Sequence, residues 1–218
     1  MTNLPITELT LAELRPLLID AVLPHVPFDG WTDLAIEQAG ADLGLPPGRA
    51  RLAFSDGPAA MVDAYIRRAD DRMLAAFDLT GLKVRDRIRT AVRTRFEQAA
   101  SEREAVRRAV AILALPQNAA LAARALWRTA DTIWRAAGDT ATDYNHYTKR
   151  LILGGVYSAT LVVWLADETE GTTDTWTFLD RRIDGIMRFE KGKAKLMQGS
   201  HRLPSLSRFL GRLRYPAI

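Results

Sequence analysis

Apolar residues return at three- and four-residue intervals along almost the whole chain, and no stretch alternates apolar and polar as a half-buried strand must. That period confines the fold to packed helices. Leu11, Leu14, Leu18 and Val22 predict a first helix over about 10–25, closed by Pro24 and Pro27. A second, over about 31–43, follows the Phe28-Asp29-Gly30 turn, with Leu34, Ala35, Ala39 and Leu43 as its inner stripe. Pro46 to Phe54 reads as a short third helix, and Met61, Tyr65, Ala69 and Leu74 mark a fourth after Gly57-Pro58. This opening unit has the dimensions of a helix-turn-helix.

A longer bundle follows. Val84, Ile88, Val92 and Phe96 recur every four residues, and further helices are expected over about 102–113 and 119–137. Gly138 stops the latter as a C-cap glycine would, and Thr142 can cap the next. From Leu151 to Leu165 no charge appears. A helix apolar on nearly all sides is a bundle centre, a dimer face or the wall of an apolar cavity. Trp134, Tyr157, Leu161 and Trp164 are the candidate pocket residues here. A last bundle helix, capped by Thr173 or Asp174, holds Phe178, Leu179, Ile183, Ile186 and Met187. The glycines and repelling lysines that follow predict a flexible linker. The expected organisation is therefore all-α: a helix-turn-helix-like part over 1–78, a larger helical part over 79–189, a basic linker over 190–201 and an amphipathic end over 202–218.

Charge is unevenly spread. Residues 181–218 hold ten Lys or Arg and two acids, an excess of eight; with +4 for the whole chain, the remainder carries −4. In the final segment Leu203, Leu206, Phe209, Leu210 and Leu213 share one face, flanked by arginines that include Arg208 and Arg212. Such a helix lies in a membrane interface, each arginine near anionic lipid adding about 1 kcal/mol. Packing on its own bundle or on a second subunit is the plainer alternative. No run of about 18 apolar residues predicts a membrane-spanning helix. The opening residues 1–14 lack Lys and Arg, which argues against a leader and favours a bacterial or already processed protein. The absence of cysteine removes disulfides, thiolate metal sites and a cysteine nucleophile.

Little points to catalysis. His25, His146 and His201 are far apart, and no glycine-rich phosphate loop or nucleophile motif is present, so neither a cofactor nor a metal is expected. Asp139 and Asp143 read as capping or solvated surface groups. A DNA reader would need cations on its third helix, where Arg49 and Arg51 are the only candidates. The second helix carries Asp33, Glu37 and Asp42 and no positive charge. The helix-turn-helix therefore reads as scaffold.

The string from Ala125-Leu126-Trp127 through Asp131-Thr132-Ile133-Trp134 to Ala137-Gly138-Asp139 is more distinctive. It continues with Asp143-Tyr144-Asn145, Tyr147-Thr148-Lys149-Arg150, Val156-Tyr157 and Arg182-Ile183. It resembles the ninth of the coenzyme Q biosynthesis proteins, a lipid-binding family with a TetR-repressor-like fold, most densely over 118–187. The resemblance implies a TetR-like homodimer that binds isoprenoid quinone intermediates or phospholipid. It implies no catalysis of its own. It also implies presentation of the lipid to the pathway's di-iron hydroxylase through a patch at Asp143, His146, Tyr147 and Arg150. His146 stands where the family has tryptophan. The expected place of work is the bacterial cytoplasm, peripheral on the inner membrane, or the inner face of the mitochondrial inner membrane in a eukaryote. The competing reading is a TetR-like repressor that binds DNA and an apolar effector.

Overall fold

The computed structural model describes residues 5–76, 81–140 and 144–200, with side chains for all of these except 144–145 and 187–200. Ten α-helices and no strand occur among the described residues. The first four are α1 (Leu11–Val22), α2 (Val26–Asp29), α3 (Asp33–Asp42) and α4 (Arg49–Ala53). Thr10 starts α1 with a reciprocal box: its hydroxyl accepts from the Glu13 amide at 3.3 Å, while the Glu13 carboxylate accepts from the Thr10 amide at 2.8 Å. Thr32 caps α3 through the Ala35 amide. The buried stripe of α3 is Ala35, Ile36, Ala39 and Gly40. Leu34, expected inside, is 58% exposed; one residue along a helix turns the side chain by about 100°. Gly40 is required where α3 meets α4, because a Cβ there would lie 2.6 Å from that of Ala50.

The long α5 (Pro58–Ala76) joins this unit to the bundle of α6 (Val84–Gln98), α7 (Arg103–Leu113), α8 (Ala119–Ala136), α9 (Tyr144–Ala166) and α10 (Thr173–Ser200). Two buried cores result. Met61, Val62 and Tyr65 of α5 belong to the first with α1, α3 and α4, while Met73 belongs to the second with α6, α8, α9 and α10. Leu74 is exposed and Met73 takes the inward place expected of it. Ala105 and Ala109 of α7 complete the first core, and the Trp31 indole N–H donates to the Ala105 carbonyl at 3.0 Å. The N-terminal unit is thus packed onto the larger part.

Gly138 ends α8 with φ +91°, the Asp139 amide reaching back to the Trp134 carbonyl at 3.0 Å. Within α9, residues 146–166 have a mean hydropathy of 1.3, sufficient by length and composition alone to cross a bilayer, although no unbroken apolar run marked the segment. In the fold Leu153, Val156 and Trp164 of α9 pack into the second core. The linker expected over 190–201 is not seen as such: α10 continues to Ser200. Lys191, Lys193, Ala194, Lys195, Leu196 and Met197 are good helix formers, and they outweigh a cost of about 1 kcal/mol for each of Gly192 and Gly199. Asp143, Thr142 and the terminal amphipathic residues Leu203, Leu206, Arg208, Phe209, Leu210, Arg212 and Leu213 lie outside the described residues.

Asp167 fixes the corner between α9 and α10. Its carboxylate accepts from the Thr175 amide at 2.8 Å, from the Thr175 hydroxyl at 2.6 Å and from the Thr169 amide at 2.9 Å. Burial pushes its pKa up, but these donors outweigh burial and hold it well below the usual carboxylate range. A depressed folded-state pKa stabilises the protein at any pH above the ordinary 3.8 and ceases to as pH falls through the folded value. Urea unfolding of the protein and its Asp167→Asn variant should therefore show a gap that is constant near neutrality and narrows below about pH 3.8. A gap unchanged down to pH 2 would contradict this account.

Candidate functional site

Where α5, α6, α7, α8 and α9 converge, their facing residues are too small to fill the space. Ala99, Ala109, Ala114, Ala122 and Ala125 present methyl groups where leucines would close the gap. A cavity of about 310 Å³ remains. That is the lower end of the range of about 300–1,000 Å³ for small-molecule sites. Val106, Val110, Leu113, Leu126, Leu161 and Val162 make its lining almost wholly apolar. One wall is aromatic. Phe96 stacks against Tyr157 with ring centroids 5.2 Å apart and against Trp164 at 5.4 Å. Arg103 backs this wall, its guanidinium 4.7 Å from the Trp164 ring and bonded to the Asp167 carbonyl at 2.7 Å.

Polar groups enter at one corner, from α5, α6 and α8. Arg95 lines the cavity and pairs with the buried Asp70 at 3.2 Å. Asp70 accepts from the Thr129 hydroxyl at 3.0 Å, and Arg128 turns to Asp63 at 2.7 Å. Burial pushes the Asp70 carboxyl up, opposed by the charge on Arg95. Burial likewise raises the Tyr157 phenol, which stays protonated and uncharged at neutral pH.

Of the four pocket residues expected from sequence, Tyr157, Leu161 and Trp164 line this cavity and Trp134 does not. Trp134 packs on another side of the same core, its indole N–H donating to the Lys149 carbonyl at 3.0 Å. Arg95 and Asp70 were missed. The available signal was a charged residue falling on the apolar stripe of each of two helices, beside Phe96 and between Ala69 and Met73.

The expected partner patch divides. Tyr147 is 58% exposed and clusters with Trp127 at 5.9 Å and His146 at 5.2 Å. Arg150 faces inward instead: it is 2% exposed, bonded to Asp131 at 2.6 Å, to Asp139 at 3.0 Å and to the His146 carbonyl at 3.0 Å. Asp139, read as a surface or capping group, is buried and shared by Arg150 and Lys149, the latter at 2.6 Å. A guanidinium's several donors match two carboxylates, which lets the charge leave the surface.

Comparison with known proteins adds a family. Residues 119–190 match the COQ9 family model. The chain is 32% identical over 179 residues to the ubiquinone biosynthesis protein COQ9, mitochondrial, of Rattus norvegicus, covering 78% of this chain and 57% of that one. It is 31% identical over 185 residues to the protein of the same name from Homo sapiens, covering 80% and 58%. The chain thus spans under two thirds of these relatives' length. Among solved structures, a TetR transcriptional regulator from Nitrosomonas europaea superposes with a TM-score of 0.64 at 22% identity, over 79% of this chain and 97% of that one. That likeness is one of fold: the chain has an all-α, TetR-like architecture.

The two halves of the patch should respond differently to mutation. Arg150→Met removes the charge-assisted hydrogen bonds to Asp131 and Asp139, leaving these to Arg135 and Lys149, and should cost about 2–3 kcal/mol in chemical unfolding. Tyr147→Ala should stay within about 1 kcal/mol. Equal losses would refute the inward assignment of Arg150.

Proposed function

Because the chain belongs to the COQ9 family, we propose that it is a lipid-binding accessory protein of ubiquinone biosynthesis that does no chemistry of its own. The observation that carries this reading is the apolar cavity between α6, α7, α8 and α9. A polyprenylated ring compound leaves a bilayer only against a large hydrophobic cost, since each exposed CH₂ costs about 0.8 kcal/mol. A cavity that replaces lipid by apolar side chains lowers that cost and makes the ring available at the surface. The proposed ligands are isoprenoid quinone intermediates or phospholipid, and the proposed recipient is the pathway's hydroxylase. Tyr147 and His146, with Trp127 beside them, form an exposed aromatic group suited to that contact; the buried Arg150 would position them rather than touch a partner. The exposed apolar Leu151 and Val162 of α9 offer a face for a second copy of the chain. The relatives compared above are named as mitochondrial proteins. For this chain we propose a peripheral position on the inner membrane, mitochondrial or bacterial according to its host. The basic amphipathic segment over 202–218 would make the contact with anionic lipid.

Two experiments test this. Purified protein analysed by native mass spectrometry should carry an isoprenoid quinone or a phospholipid, and Ala122→Trp, which fills the cavity, should remove it without changing the circular dichroism. Lipid-free wild-type protein after exposure to liposomes would end the cavity reading. Separately, the full chain should co-sediment with anionic liposomes and be released as salt rises, whereas a chain truncated before Gln198 should stay in solution. Equal binding by both would assign the tail to packing.

A further inference from the structure

The cavity has a closed end and an open one. At the closed end Tyr65, Ala125, Thr129 and Trp164 are buried, none more than 4% exposed. Behind them the Thr129 hydroxyl donates to Asp70 at 3.0 Å, and Arg95 pairs with the same carboxylate at 3.2 Å. An alkyl chain pushed past this point would strip buried charges of their partners, a cost that a few added CH₂ contacts do not return. At the other end Ala114 and Val162 are exposed, Val162 by 65%. The mouth therefore lies between the residue that follows α7 and the outer face of α9. Two open grooves elsewhere, one at Asp33 and Leu52 and the other at Asp29 and Leu115, share no lining residue with the cavity. They give a long ligand no second chamber.

Volume then sets how much can enter. An apolar cavity of about 150 Å³ takes a molecule the size of benzene. At about 310 Å³ this one has room for roughly twice that, or about a dozen carbon atoms. A polyprenyl chain several units long exceeds it. The walls resist widening, because they are packed from behind. Phe96 stacks against Tyr157 and Trp164 at 5.2 and 5.4 Å, and Leu126 sits so close to Gly154 that a Cβ there would lie 3.4 Å from it.

We propose that the cavity takes only one end of its ligand, about a dozen carbon atoms, while the remainder leaves through the mouth between Ala114 and Val162. This rests on the lipid-binding reading and fixes the length that the site recognises. Affinity depends on the inserted end and is indifferent to how far the chain extends beyond the mouth. Ala125 at the closed end, and Ala122 one turn earlier on α8, set that length.

The test is equilibrium dialysis of the delipidated full chain with straight-chain primary alcohols from hexanol to hexadecanol, as radiolabelled tracers below their solubility limits. Each CH₂ that enters should tighten binding about fourfold, and each that stays outside by less than about twofold. Affinity plotted against length should therefore break near dodecanol. Ala125→Leu lengthens the side chain at the closed end and should bring the break about three carbons earlier, near nonanol, with the slope below it unchanged. If Ala125→Leu does not fold by circular dichroism, Ala122→Leu, at a half-buried position, should move the break in the same direction. A slope that stays about fourfold through hexadecanol, or a break that neither variant moves, overturns the proposal and leaves the cavity reading intact. Failure of every alcohol to bind wild-type protein removes the cavity reading and the length limit together.

Discussion

A cavity forfeits the dispersion contacts that would hold its walls together, so the helices around it need another tether. Buried and half-buried polar contacts supply it here. Arg95 on α6 reaches Asp70 on α5, Asp70 accepts from Thr129 on α8, and Arg128 on α8 turns to Asp63 on α5. On the other side Arg150 of α9 is held by Asp131 of α8 and by Asp139 just beyond it. Asp167, at the end of α9, captures Thr175 at the start of α10. Every one of these contacts crosses between elements. Apolar packing responds mainly to volume and tolerates small slides, whereas a hydrogen-bonded ion pair fixes register and rotation. Breaking one strands a charge away from water, so the wall positions are held at high cost to any rearrangement.

The N-terminal unit keeps the helix-turn-helix geometry and lacks its electrostatics. Affinity for a duplex rises with the number of phosphates neutralised. Here α3 carries Asp33, Glu37 and Asp42 with no cation. Arg49 is drawn back to the Leu9 carbonyl at 2.7 Å, while Leu34 and Leu52 face outward. The same unit has acquired a structural task. Its core includes Ala105 and Ala109 of α7, and Trp31 bonds to the α7 backbone. Ala109 also lines the cavity, with Val106, Val110 and Leu113 on the same helix. The unit therefore supports one wall of the site. This gives the unit a structural role that does not involve DNA.

Helix content and order were legible in the sequence because periodicity reports which residues share a face. The starts of α1 and α3 and the end of α8 were legible too, since Thr10, Thr32 and Gly138 act through local backbone geometry. Three readings failed for identifiable reasons. Leu34 and Leu74 were assigned inward on hydrophobicity, yet the true stripe runs one or two residues away, through Ile36 and Met73. Gly192 and Gly199 among lysines suggested a linker, but the intervening residues favour a helix. Arg150 was placed in a surface patch by the family resemblance and Asp139 was read as a capping or solvated group, although their burial depends on partners that come together only in three dimensions. The cavity was the hardest feature to read. Tyr157, Leu161 and Trp164 line it, but Trp134, of the same character, does not. From sequence an alanine on a buried stripe reads as tight packing. Whether it closes a gap or leaves one depends on what faces it, and around this cavity Ala99, Ala109, Ala122 and Ala125, from two helices and a turn, face one another. The cavity is thus made by small residues converging from distant parts of the chain, a coincidence that no single helix records.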